Sequence, residues 1–144
     1  WFANYLVEHR NYEKVYAIEP SVAATNIAKK IYPSQDKVDW KVGFSEEKLK
    51  KIELTEKALF STMCVLAHIE DSSVTKILNE MNSIAPRGSV FCFSEPWGRE
   101  SHSHCWHIRP ESWWQEILPE WEFTFKTECV LGHEQYKGFV GVKK

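Results

Sequence analysis

The sequence predicts an α/β fold with a mainly parallel sheet, on three observations. Apolar runs of strand length alternate with stretches of helical periodicity along the chain. The first run, residues 15–18, is continuously apolar, as in a strand covered on both faces. Two more strand-like runs follow the last helix with no helix between them, which predicts an antiparallel pair at one edge.

The elements follow in order. Phe2, Tyr5, Leu6 and His9 stand at i, i+3, i+4, i+7 spacing and predict a short helix. After the first strand, Ser21 can cap a helix whose inner face is Ala23, Ile27 and Ile31, ended by Pro33 and Ser34. Residues 38–42 read as a second strand. The charged stretch 45–57 reads as a solvated helical or irregular segment. "ALFSTMCVL" at 58–66 reads as the third strand. Ser73 then caps a helix carrying Val74, Ile77, Leu78, Met81 and Ile84. "PRG" at 86–88 is a turn, and "SVFCFSEP" at 89–96 is the fourth strand. Pro110 suits the first turn of another helix. Residues 121–132 and 136–144 form the closing strand pair, turning near Gly132. No repeat or long linker divides the chain, so residues 1–144 read as a single domain.

Composition narrows the function. The chain has 144 residues, 43% hydrophobic and 26% charged, with a formal net charge of −2. That balance fits a globular protein and gives no electrostatic reason to expect nucleic acid or an anionic membrane as partner. No apolar run approaches the ~20 residues of a membrane span. Cys64, Cys92, Cys105 and Cys129 are scattered and form no CxxC pair. They read as reduced thiols of a cytoplasmic protein.

Glu19 closes the first strand, where an α/β sheet places its ligand. A carboxylate there can accept two hydrogen bonds from the vicinal hydroxyls of a ribose. The competing reading is a solvated side chain that caps the next helix. A second informative stretch is "WGRESHSHCWHIRPESWW", in which His102, His104, Cys105, His107 and Arg109 crowd together. Its spacing matches no structural zinc motif, so no metal is expected. The histidines either serve a substrate pocket or pack, hydrogen-bonded, among Trp106, Trp113 and Trp114.

The order of "AIEPS", "CVLAHIED" and "GSVFCFSEP" resembles that of class I S-adenosylmethionine-dependent methyltransferases. The resemblance covers nearly the whole chain. It implies a Rossmann-like methyltransferase sheet and S-adenosylmethionine as cofactor. Glu19 matches the family's ribose-binding acid, with Pro20 beside it. Phe44 and Ser45 match the segment near the adenine, although Phe44 stands where Asp is frequent. Thr62 and Met63 match residues at the methionine end. In "VLAHIED", Ala67 replaces the usual Glu. The resemblance also places His68 and Arg109 on the substrate side, and gives His104 or His107 the task of orienting the acceptor or removing its proton. The acceptor it implies is a small molecule or glycan precursor. The acceptor atom and the oligomeric state stay open.

The family's GxGxG loop has no counterpart, since none of the six glycines precedes Glu19. In the family the ribose-binding acid follows that loop by ~20 residues. The chain is therefore expected to be a fragment that lacks the first strand, which in the family lies between the strands ending in Glu19 and Thr62. Alone, it is expected to bind S-adenosylmethionine weakly or not at all. A dinucleotide-binding oxidoreductase domain using Glu19 on NAD, or a non-catalytic α/β module, are the alternatives.

Overall fold

The structure is a computed structural model, which describes residues 2–32, 36–97, 106–131 and 134–144. The chain forms two compact units, Trp1–Lys51 and Ile52–Lys144. The division falls in the charged stretch that the sequence marks as irregular.

In the first unit, α1 (Phe2–Arg10) leads to β1 (Val15–Glu19), α2 (Val22–Ile31), β2 (Val38–Val42) and the short α3 (Ser45–Lys48). β1 and β2 pair in parallel, from Val15 opposite Val38 to Glu19 opposite Val42. Asn11 takes φ +56° after α1, a left-handed stop that Asn tolerates well, and the Tyr12 N–H returns to the Leu6 carbonyl at 3.2 Å. Ser21 caps α2 as expected, its Oγ accepting from the Ala24 N–H at 3.1 Å. The expected inner face of α2 is corrected. Ile27 and Ile31 are 58% and 61% exposed, whereas Thr25 is buried. Ile27 lies about 200° round the helix from Thr25 at 3.6 residues per turn. Thr25 accepts burial because its hydroxyl donates to the Ser21 carbonyl at 3.0 Å, leaving no unpaired donor.

The second unit holds β3 (Leu59–Met63), α4 (Asp71–Ile84), β4 (Val90–Trp97), α5 (Glu111–Ile117), β5 (Trp121–Leu131) and β6 (Glu134–Lys143). The strand order is β3-β4-β6-β5. β3 and β4 are parallel, while β6 is antiparallel to both β4 and β5. The closing strand pair is thus present, with the last strand inserted between β4 and β5. β1 and β3 each stand at the edge of their own sheet among the described residues.

Three boundaries differ from the sequence reading. β3 ends at Met63, because Cys64 turns to φ +53° and Leu66–His68 forms a 3-10 turn. α4 starts at Asp71, before Ser73, and both Ser72 and Ser73 donate their hydroxyls to the Glu70 carboxylate. Pro110 is the residue before α5 and not its first.

The core of this unit is aromatic. Val74, Ile77, Leu78 and Met81 of α4 are buried, as their spacing predicts. So are Phe91 and Phe93 of β4, Trp114, Leu118, Trp121 and Phe139. Phe93 stacks on Phe139 with centroids 4.7 Å apart and meets the tilted Trp114 ring at 4.4 Å. The Trp121 indole N–H donates to Asn82 Oδ1 at 2.8 Å, so its burial leaves no orphan donor. Gly141 lies against the Phe123 ring, where a Cβ would come within 2.5 Å. Cys64 and Cys92 are free thiols, and burial pushes the Cys92 thiol up.

Candidate functional site

Two groups of the expected site residues form, one in each unit. In the first unit, parallel pairing brings the carboxyl ends of β1 and β2 side by side. Glu19 ends β1 opposite Val42, and the Gly43 N–H donates to the Glu19 carbonyl at 3.1 Å. Gly43 has φ +140°, a conformation that side chains rarely adopt, and this turn delivers Phe44 and Ser45 to the same edge. The Glu19 Oε1 accepts the Ser21 N–H at 2.9 Å. Pro20 lies between them and is exposed. Phe44 is 61% exposed, so it is not a core aromatic. A carboxylate, which accepts hydrogen bonds, and an exposed aromatic ring thus stand at one sheet edge.

In the second unit, β3 ends in Thr62 and Met63, with Met63 63% exposed. The Thr62 hydroxyl oxygen is buried without a hydrogen-bond partner. The backbone then turns through Cys64 into the 3-10 turn that carries His68. The exposed His68 ring meets the Trp106 ring edge-on, centroids 4.6 Å apart. The His107 N–H donates to the Ala67 carbonyl at 2.7 Å, which holds the 106–110 segment against that turn. The His107 side chain is exposed. His104 lies outside the described residues, as do His102 and Cys105.

Arg109 requires a correction. The resemblance places it on the substrate side, but the residue is 5% exposed. Its Nε donates to Asp71 Oδ1 at 2.9 Å. One terminal nitrogen donates to the Leu66 carbonyl at 2.8 Å, and the other to the Ile69 carbonyl at 2.6 Å and to Asp71 at 2.9 Å. The Trp113 ring lies under the guanidinium, 5.0 Å from centroid to Cζ. A cation so fully engaged ties the 66–69 turn to the start of α4 and offers nothing to an anionic ligand.

Glu95 was missed. It sits near the end of β4, 5% exposed, and accepts the Ala67 N–H at 2.9 Å and the Leu66 N–H at 3.3 Å. Burial pushes its carboxyl up to about 7, against the opposing pull of those N–H groups and of Arg109. The signal was available: "FSEP" repeats the strand-ending Glu-Pro of "AIEP". Glu70, by contrast, is held below the usual carboxylate range by the Ser72 and Ser73 hydroxyls. Among the described residues no cluster of three metal-ligating side chains occurs, and no helix is long and apolar enough to cross a membrane.

A split pair of parallel strands, β3-β4 extended by an antiparallel pair, and a strand-ending acid define a Rossmann-like methyltransferase fold. No family model and no curated protein matches the chain. Solved structures do. TehB from Haemophilus influenzae superposes with a TM-score of 0.70 at 10% identity, over 91% of this chain and 50% of that one. The magnesium protoporphyrin IX methyltransferase ChlM from Synechocystis PCC 6803, solved with bound S-adenosylmethionine, gives 0.64 at 12%, over 94% of this chain and 62% of that one. The N-methyltransferase NodS from Bradyrhizobium japonicum WM9, in complex with S-adenosylhomocysteine, gives 0.65 at 16%, over 90% and 66%. The chain therefore has the fold of class I S-adenosylmethionine-dependent methyltransferases, and spans half the length of TehB.

Proposed function

We propose that this chain is part of an S-adenosylmethionine-dependent methyltransferase acting on a small-molecule or glycan-precursor acceptor. The observation that carries the reading is the edge formed by Glu19 and Phe44. The Glu19 oxygen not engaged with Ser21 is placed to accept from a ribose hydroxyl, and Phe44 offers a ring face to the adenine. Pro20 and Ser45 flank them. The resemblance assigns Thr62 and Met63, at the end of β3, to the methionine end.

The bound cofactor supplies a methyl group already activated by its sulfonium. The chain's own task is alignment of an acceptor. His107, exposed on a segment fixed through its backbone, suits removal of a proton from a hydroxyl acceptor, with His104 sharing that role and His68 on the acceptor side. Fold neighbours that methylate different compounds support the class of reaction and leave the acceptor open.

Calorimetric titration with S-adenosylmethionine, S-adenosylhomocysteine and NAD tests the reading. Heat from the first two and none from NAD supports it, and NAD alone binding would overturn it in favour of an oxidoreductase domain. Glu19→Ala is expected to weaken S-adenosylmethionine at least ~10-fold, the worth of one hydrogen bond to a charged group. An unchanged affinity removes Glu19 from the site.

A further inference from the structure

Past Cys64, whose N–H still donates to the Ser94 carbonyl of β4 at 2.8 Å, the 66–69 backbone is held mainly by side chains and a neighbouring segment. Glu95 takes the N–H groups of Leu66 and Ala67. Arg109 takes the carbonyls of Leu66 and Ile69, and the His107 N–H takes the carbonyl of Ala67. The turn is thus gripped on its donors by a buried acid and on its acceptors by a buried base. We propose that Glu95 is a positioning residue whose carboxylate sets the 66–69 turn, and with it His68, in a proton-dependent way. The link to acceptor binding rests on the methyltransferase reading above.

Only the ionised carboxylate presents acceptors alone. A protonated Glu95 carries an O–H on one oxygen and is a weaker acceptor there, so its hold on the turn's N–H groups loosens, first at the longer bond from Leu66. Burial raises the proton affinity of Glu95 into the neutral range, where this exchange becomes accessible. The charged and titratable groups around it are few. The 106–110 segment brings Arg109 and His107, and the turn itself brings His68. The start of α4 brings Asp71, neutralised on Arg109, and Glu70 precedes it. On β6, Lys137 stands opposite Glu95 but is paired with Glu111 of α5 at 2.9 Å. The two histidines are the side chains whose replacement separates their effect from that of Glu95.

The test is an amide titration of the 15N-labelled chain from pH 5 to 9, without cofactor. The Leu66 and Ala67 amides are expected to shift together with a midpoint near 7. The step should vanish in Glu95→Gln and survive in His107→Asn and His68→Asn. Amides that stay flat, or a step lost with either histidine, overturn the proposal. Should Glu95→Gln not fold, Glu95→Asp serves: a moved midpoint supports the grip and an unmoved one refutes it. The titration reads Glu95 whether or not S-adenosylmethionine binds, so it fails independently of the methyltransferase reading.

Discussion

The two units handle their apolar residues in opposite ways. Ile52–Lys144 closes Phe91, Phe93, Trp114, Trp121 and Phe139 into one aromatic cluster under α4 and α5. In Trp1–Lys51 the buried set is Leu6, Thr25, Val38 and Leu49, while Val22, Ile27, Ile31, Val42 and Phe44 stay open. A two-stranded sheet has too little face to cover two helices. Stability therefore resides in the larger unit, and open apolar surface is more plentiful in the smaller one.

The largest expected effect comes from breaking the aromatic cluster. Trp114→Ala should cost about 3–5 kcal/mol, seen as a fall in melting temperature. Native-state hydrogen exchange should find β4 and β6 amides more protected than those of β1 and β2, and equal protection would break the contrast. Arg109→Ala comes next, at roughly 3 kcal/mol, because it strands the Leu66 and Ile69 carbonyls, while the exposed Asp71 returns to water.

The pH dependence sharpens the contrast further. The folded state holds the Glu95 proton more tightly than the unfolded chain, whose carboxyl titrates at 4.5. Its contribution is therefore fully present below pH 4.5 and lost as pH rises through about 7. A denaturant series should show up to roughly 3 kcal/mol less stability across that window, with the slope removed in Glu95→Gln. The smallest effect is Ile27→Ser on the open face of α2, expected within about 0.5 kcal/mol. A cost above about 2 kcal/mol in urea titration would mean that this face is covered.

Most of the fold was legible because periodicity reports burial. The spacing of Val74, Ile77, Leu78 and Met81 named the buried face of α4, and the run at 15–18 named β1. The α2 face was misread because that helix is apolar on two sides, Val22 and Ala28 flanking Thr25 on one and Ile27 and Ile31 on the other. Pattern alone cannot choose between them. Glu19 was legible from its place at a strand end. The Glu-Pro pair of "FSEP" marks Glu95, but what Glu95 and Arg109 hold was not legible, since those carbonyls and N–H groups lie 28 to 43 residues away in a turn.

The insertion of β6 between β4 and β5 has a consequence for the order of assembly. β6 follows β3, β4 and β5 in the chain yet takes an interior position in the sheet, and β5 pairs only with it among the described residues. A nascent chain halted before Glu134 holds β5 unpaired and Phe93 without Phe139 above it. Completion of the sheet waits on the pairing of β4 with β6, from Trp97 opposite Gln135 to Val90 opposite Val142, the kind of non-local pairing that slows folding. Until then a hydrophobic strand edge is open to any chaperone or neighbouring chain that reaches it first.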